Sequence, residues 1–166
     1  MLRLELNPMR HPRVRRPSAF TLVEILIVVI ILGILATIII ALFNNSTADA
    51  RSTSLRDNLR TLRSSIQLYG AQHVTYPSVA NFVTQMTQYS DASGNTSATP
   101  SATYPFGPYI LDMPNLPVGT NKGMATVTGP SYTAGFGWTF DSTSGNIKAN
   151  LPASDVDDSG VAFNTY

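Results

Sequence analysis

A single carboxylate, Glu24, lies within an otherwise uncharged apolar run, FTLVEILIVVIILGILATIIIALF, which extends from Phe20 to Phe43. An acidic side chain inside a bilayer costs about 2.5–3.5 kcal/mol even on lenient insertion scales, and such residues are usually paired with another charged group. A plain membrane anchor avoids that cost. The position of Glu24 therefore predicts a specific cationic partner within the membrane.

A second group of carboxylates lies near the end of the sequence, where Asp155, Asp157 and Asp158 precede Gly160. Hard oxygen ligands before a glycine resemble the opening of a calcium-binding loop, and calcium would relieve the repulsion among these carboxylates. Position twelve of an EF-hand would fall on Tyr166, which excludes a true EF-hand. The three aspartates are candidate calcium ligands, and an ordinary solvated acidic tail is the alternative.

Few other residues are of the types that act as nucleophiles or metal ligands. The sequence has no cysteine and two histidines, His11 and His73, which excludes thiolate nucleophiles and multi-histidine metal centres. It contains neither a G-x-S-x-G nucleophile motif nor a phosphate-binding glycine loop. His73, at the end of a predicted helix, is interpreted as a surface or capping residue. The sequence predicts no catalytic residues and no enzyme activity.

The element that carries Glu24 is predicted to be a membrane-spanning helix. Twenty-four helical residues extend roughly 36 Å, enough for the hydrocarbon core of about 30 Å. The apolar residues cover every face, and a chain of 166 residues is too small to bury such a helix in a core of its own. A secretory signal peptide ending at Ala48-Asp49-Ala50 is the alternative, but its apolar region is usually shorter and carries no carboxylate.

The charge distribution predicts the orientation of this helix. Residues 1–19 have a net charge of +4, whereas residues 20–166 have a net charge of −3. The positive-inside rule places the basic segment in the cytoplasm and the residues after Phe43 outside it, with a single pass through the cytoplasmic membrane. A basic tip on an otherwise acidic chain argues against a nucleic-acid partner.

Beyond Phe43 the sequence becomes polar but keeps its helical period. Small and apolar residues recur every three or four positions, and arginines occupy other positions of the same segment. No proline interrupts residues 20–74, so we expect one helix of roughly 50 residues. The stripe comprises Ala48, Ser52, Leu55, Leu59, Leu62, Ile66 and Tyr69, and the arginines are Arg51, Arg56, Arg60 and Arg63. These arginines form either a solvated face or a contact with the acidic C-terminal surface of another subunit.

The remaining residues predict a small sheet against this helix. Pro77 ends the helix, and Ser78 is the expected N-cap of a short second helix. Residues 90–103 are predicted to be a flexible loop. Strands are expected over 124–128, 132–140 and 146–151, the last two forming a hairpin. The predicted fold class is α+β, with a long N-terminal helix packed on a small antiparallel sheet.

The N-terminal residues resemble a known family signature. Arg15-Arg16-Pro17-Ser18-Ala19-Phe20-Thr21-Leu22-Val23-Glu24, followed by the apolar run, is similar to the processing site of type IV prepilins and type II secretion pseudopilins. The motifs GPYIL (107–111) and GWTFD (137–141), with IKAN (147–150), are similar to those of the major pseudopilin, protein G type. The absence of cysteine also favours a pseudopilin over an adhesive pilin, which often carries a disulfide bond.

The resemblance implies a processing and assembly pathway. Prepilin peptidase would cut between Ala19 and Phe20 and methylate the new Phe20 amine, removing residues 1–19. Residues 20–43 would form the membrane and filament-core helix, and residues 44–166 the exported, pilin-like domain in the periplasm. Glu24 would pair with the Phe20 amine of a neighbouring subunit in a helical filament. The major pseudopilins also use a C-terminal calcium loop, which matches Asp155, Asp157 and Asp158.

The expected function is a structural subunit of a type II secretion pseudopilus that drives protein export. Its expected partners are further copies of the chain, prepilin peptidase, the inner-membrane assembly platform, minor pseudopilins and, before assembly, the lipid bilayer. One alternative is a type IV pilus subunit for adhesion, motility or DNA uptake. The other is an unprocessed, single-pass, membrane-anchored binding domain.

Overall fold

The computed structural model describes residues 20–166, apart from the side chains of Ala41, Asn44 and Asn45. The predicted leader, residues 1–19, lies outside the described residues. The chain divides into two units, with the boundary between Leu42 and Phe43. In chain order the elements are α1 (Leu22–His73), α2 (Phe82–Thr87), β1 (Tyr89–Ser90), β2 (Thr96–Ser97), β3 (Val127–Thr128), β4 (Trp138–Asp141), β5 (Asn146–Ala149) and a 3₁₀-helix (Phe163–Thr165).

The helix α1 has 52 residues, which confirms the predicted single helix. In the first unit, its segment Leu22–Ile40 is long and apolar enough to cross a membrane, and every one of those side chains is exposed. A helix that is apolar on all faces is stable only in lipid or among other helices. This segment matches the predicted membrane helix.

In the second unit, the apolar stripe of α1 forms one wall of the core. Leu55, Leu59, Leu62, Ile66 and Tyr69 are each at most 2% exposed, as the three- and four-residue spacing predicts. They pack with apolar side chains of the later elements, among them Phe82, Met86, Leu116, Trp138, Phe140, Ile147, Leu151 and Phe163. The α+β fold class is confirmed.

The helix ends at His73, and the next residue has an unusual backbone conformation. Val74 has a φ of 64°, in the left-handed region that a β-branched residue rarely adopts. Its side chain is 93% exposed, so burial does not compensate for this conformation. Pro77 follows three residues later, consistent with the predicted end of the helix.

The short helix α2 begins later than the sequence predicts. Its N-cap position is Asn81, whose side chain makes no capping hydrogen bond. The Ser78 hydroxyl instead accepts a hydrogen bond from the Asn81 N–H (3.3 Å), closing the preceding turn. The predicted N-cap role of Ser78 in α2 is therefore wrong, because a separate turn precedes the helix.

The principal sheet has the order β3-β4-β5 and is mixed. β4 and β5 pair antiparallel as predicted, with Phe140 opposite Ile147. β3 and β4 pair parallel, with Val127 opposite Trp138, so the prediction of a wholly antiparallel sheet is wrong at this edge. The irregular segment 129–137 carries the chain back to the end at which β3 begins, so β4 starts beside the start of β3 and the two strands run in the same direction.

A glycine permits the close approach of the β3 and β4 segments. The N–H groups of Gly137 and Trp138 both donate to the Thr126 carbonyl oxygen, at 3.0 and 3.1 Å. A Cβ atom at Gly137 would lie 2.1 Å from the Met124 carbonyl oxygen. No side chain fits there without moving the backbone.

The segment predicted as a flexible loop contains a second, two-stranded sheet. β1 and β2 pair antiparallel, with Tyr89 opposite Ser97. The Asp91 carboxylate accepts hydrogen bonds from the N–H groups of Ser93 and Asn95, each at 2.9 Å. The prediction is thus wrong for the first half of residues 90–103, because an aspartate-capped turn orders a polar sequence that has no apolar period.

Candidate functional site

The first unit presents Glu24 on the first turn of α1. The Glu24 N–H donates to the Thr21 hydroxyl (3.2 Å), and the N–H groups of Glu24 and Ile25 both donate to the Thr21 carbonyl oxygen. Thr21 therefore caps the helix. The spacing Thr-x-x-Glu is a capping-box signal that was readable in the sequence and went unused in the prediction of the helix start. The cap fixes the Glu24 backbone at the start of the apolar helix.

The Glu24 side chain has no cation beside it in the described part of the chain. The structure gives one salt bridge within residues 20–166, and it lies in the second unit. Glu24 is exposed, as is Phe20, which is 77% exposed at the predicted new N-terminus. Ala19, the residue before the predicted cut, lies outside the described residues. The cleavage site and the assembly role of Glu24 stay predictions.

The three C-terminal aspartates do not converge on a common point. Among residues 20–166 no group of three acidic, histidine or cysteine side chains is arranged to hold a metal ion. One oxygen of Asp155 accepts hydrogen bonds from the Thr120 N–H (2.7 Å) and the Thr120 hydroxyl (2.8 Å). Asp158 is exposed. The residues do not fit a calcium site built from Asp155, Asp157 and Asp158, and calcium binding itself stays a prediction.

Asp157 is instead in contact with Arg56 and Tyr166. The Tyr166 hydroxyl donates to Asp157 Oδ2, and Arg56 Nη2 donates to the Tyr166 hydroxyl (2.9 Å). Arg56 Nη2 also lies 3.7 Å from Asp157 Oδ2. Chiefly through the hydrogen bond from Tyr166, the pKa of Asp157 lies below its ordinary value.

The arginines of α1 divide into two kinds. Besides Arg56, Arg63 also contacts the C-terminal residues, since it donates to the main-chain oxygens of Ile147 (3.2 Å) and Tyr166. Arg51 and Arg60 are exposed. The predicted solvated face is therefore wrong for Arg63, which is half-buried beneath the last residues of the chain, whereas Arg56 stays exposed while it contacts Tyr166. A contact between the exposed arginines and another subunit stays a prediction.

His73 is buried, contrary to its interpretation as a surface residue. Its side chain is 6% exposed and stacks on the Tyr69 ring at a centroid distance of 3.9 Å. Nδ1 lies 3.1 Å from the Tyr69 carbonyl oxygen, and Nε2 lies 3.0 Å from the Ser90 hydroxyl. Both ring nitrogens thus have hydrogen-bond partners, which gives His73 a structural position between α1 and β1. His11 lies outside the described residues.

Asn150 is a structural residue that the sequence marks only as part of a motif. It is 1% exposed, and its side-chain amide donates to the carbonyl oxygens of Thr133 (2.6 Å) and Phe136 (2.7 Å). Its side-chain oxygen accepts the Thr133 N–H, and its main-chain oxygen accepts the Asn121 side chain. Asn150 therefore holds the loop that leads into β4.

Comparisons with known proteins agree with these features. Residues 14–40 match the family described as "Prokaryotic N-terminal methylation motif", which covers the predicted cleavage site, Glu24 and most of the apolar run. No solved structure matches the chain at a significant level.

Three curated relatives bear the same name, type II secretion system core protein G. The Aeromonas hydrophila protein is 30% identical over 107 residues, which are 63% of this chain and 70% of that protein. The Klebsiella pneumoniae protein is 28% identical over 64% of this chain and 73% of its own length. The Pseudomonas aeruginosa protein is 33% identical over 39% of this chain, and the match spans 45% of that protein.

The match with the Aeromonas protein extends over most of that protein's length, and the methylation motif lies at the same apolar helix that the structure describes. These observations confirm the resemblance inferred from the sequence. The chain belongs to the family of type II secretion system core protein G, the major pseudopilins.

Proposed function

We propose that this chain is a structural, non-catalytic subunit of a type II secretion pseudopilus that assembles through its N-terminal helix and thereby drives protein export. Prepilin peptidase cuts between Ala19 and Phe20 and methylates the Phe20 amine. Each subunit then leaves the bilayer and joins a helical filament of identical chains. The inner-membrane assembly platform and minor pseudopilins are the further partners in this pathway.

The observation that carries this proposal is the isolated carboxylate of Glu24 on an exposed apolar helix. Within residues 20–166 no cation lies beside it. Cleavage removes residues 1–19, so in the mature chain the new N-terminus or another chain would supply its partner. A carboxylate and an ammonium that are each costly in lipid become tolerable when they neutralise each other. The Phe20 amine, produced by cleavage, supplies such an ammonium four residues before Glu24 in sequence, which is about one helical turn.

The charges around the apolar run support the orientation. The five arginines before Phe20 lie on one side of the segment, and by the positive-inside rule this supports a cytoplasmic position for residues 1–19 and a periplasmic position for the second unit. The methylation motif over residues 14–40 supports the same processing site.

Mass spectrometry of the mature chain tests the processing step. We expect the chain purified from a type II secretion strain to begin with N-methylated Phe20. An intact N-terminus, or a start at Arg51 after Ala50, contradicts the proposal.

Substitution of Glu24 tests the assembly step. Glu24→Gln removes the charge but keeps the size, so we expect normal processing and membrane insertion with at least roughly tenfold fewer fibres, since about 1.4 kcal/mol corresponds to tenfold in an equilibrium. Fibre yield is measured by shearing and immunoblotting. Asp57→Asn, which neutralises an exposed carboxylate farther along α1, is the matched control and leaves the yield unchanged. Fibres at normal yield from Glu24→Gln contradict the proposed pairing.

Deletion of the gene distinguishes the two kinds of filament. We expect exported proteins to accumulate in the periplasm while surface pili remain. Loss of surface pili with normal secretion would instead assign the chain to a type IV pilus.

A further inference from the structure

The loop that the sequence suggests as a calcium site is closed by its own hydrogen bonds. Asp157 Oδ1 accepts the N–H groups of Ser159 (2.9 Å) and Val161 (2.8 Å). The main chain adds two bonds, from the Asp157 N–H to the Val161 carbonyl oxygen and from the Gly160 N–H to the Asp157 carbonyl oxygen, each 2.9 Å. The turn over residues 157–161 therefore requires no metal to hold its shape.

The second oxygen of Asp157 is also occupied. Oδ2 accepts the Tyr166 hydroxyl and faces the Arg56 guanidinium at 3.7 Å. The Asp157 side chain is only 9% exposed. A carboxylate offers about four lone-pair positions, and three hydrogen bonds and a guanidinium use them. Asp157 has no free position for a divalent cation.

Arg56 is positioned so that its guanidinium supplies a positive charge beside the Asp157 carboxylate. Its guanidinium carbon lies 4.7 Å from the centroid of the Tyr166 ring, within the range of a cation–π contact. It also donates to the Tyr166 hydroxyl, so Tyr166 lies between the arginine and the carboxylate and contacts both. A planar guanidinium is suited to this combination of stacking and hydrogen bonding, whereas a lysine ammonium is not.

We propose that the guanidinium of Arg56 takes the place of a divalent cation in closing the C-terminal loop onto α1, so that the second unit folds and stays folded without calcium. The loop is joined to the helix by Tyr166, which Arg63 also holds through the main-chain oxygen. This inference concerns the stability of the subunit and does not depend on the proposed role in export.

Thermal unfolding of the full chain in detergent tests the proposal. Trp138 is the single tryptophan and is fully buried in the second unit, so its emission follows the unfolding of that unit alone. We expect the same Tm in excess calcium chloride and in excess chelator. We expect Arg56→Ala to lower the Tm by about 2–4 °C under both conditions, the shift that corresponds to roughly 1 kcal/mol in a chain of this size.

Two further variants separate the charge contact from a general loss of packing. Arg60→Ala removes an exposed arginine one turn farther along α1 and leaves the Tm unchanged. In an Asp157→Asn background, Arg56→Ala lowers the Tm by less than in the wild type, because the partner charge is already gone. A wild-type Tm that rises with calcium or falls with chelator overturns the proposal in favour of the calcium loop. An unchanged Tm in Arg56→Ala overturns it as well.

Discussion

At the scale of single residues, Asn150 shows how one buried amide organises a loop that has no regular structure. Its side chain satisfies main-chain groups of Thr133 and Phe136, at distances between 2.6 and 3.1 Å. Its own carbonyl oxygen is satisfied by Asn121. When a buried polar group loses its hydrogen-bond partner, the folded state bears the full free-energy cost of removing that group from water.

We expect Asn150→Ala to destabilise the second unit by about 2–3 kcal/mol, because it leaves two carbonyl oxygens and one N–H without partners. The measurement is the Tm followed by Trp138 emission, and the expected fall is roughly 5–10 °C. Lys148→Ala, at an exposed position of β5 two residues before Asn150, is the control and changes the stability by less than about 0.5 kcal/mol. Equal Tm values for the two variants would contradict the role given to Asn150.

The sequence identified Glu24 because an isolated charge in an apolar run is visible without any structure. It did not identify the partners of Asp157, because Arg56 precedes Asp157 by about a hundred positions and a surface arginine carries no local signal. The same holds for Asn150, which stands out in the sequence only as part of a motif. Polar residues that join distant segments are invisible to local spacing.

At the scale of elements, the approach of β3 to β4 depends on the missing side chain at Gly137. The neighbouring atom is the Met124 carbonyl oxygen, and main-chain atoms cannot swing aside as the end of a flexible side chain can. Parallel pairing of Val127 with Trp138 follows directly after this contact.

Gly137→Ala is expected to cost about 3 kcal/mol, the upper range for overpacking a fixed site, and to lower the Tm by roughly 5–10 °C. Gly129→Ala is the matched control, since a Cβ there meets nothing within 4 Å. A loss of similar size at both glycines would contradict the role of the Met124 contact, because Gly→Ala at an unobstructed position is expected to stabilise the protein slightly by lowering the entropy of the unfolded chain.

The long helix was predicted well because its signal is local. An apolar run long enough to span a membrane, followed without any proline by a segment with a helical period, specifies α1 without reference to the rest of the chain. The strands are two to four residues long, so their direction and partners are set by hydrogen bonds between distant segments. This explains why the hairpin of β4 and β5 was predicted and both the parallel edge at β3 and the β1–β2 pair were missed.

At the scale of the whole molecule, the buried residues of the core lie entirely in the second unit. The core cluster draws its members from Leu55 to Phe163, and the apolar segment Leu22–Ile40 contributes none of them. The two units therefore have different requirements, lipid or neighbouring helices for the first and water for the second.

A chain that begins at Phe43 is expected to be water-soluble and to keep the Tm of the full chain within about 2 °C, since removing residues outside the core changes little. Cell fractionation and Trp138 emission check the two parts of this prediction. A shortened chain that aggregates, or melts far below the full chain, would mean that the first unit contributes to the stability of the second.

The left-handed backbone conformation of Val74 identifies a position at which the stability of the subunit can be increased. In that conformation a β-branched residue lowers the free energy of unfolding by about 1–2 kcal/mol. Burial of the side chain does not offset this cost, because Val74 is exposed. Glycine is the residue that helices most often place at this position. Val74→Gly is thus a route to greater thermal tolerance that touches neither the membrane helix nor the loop at the C-terminus.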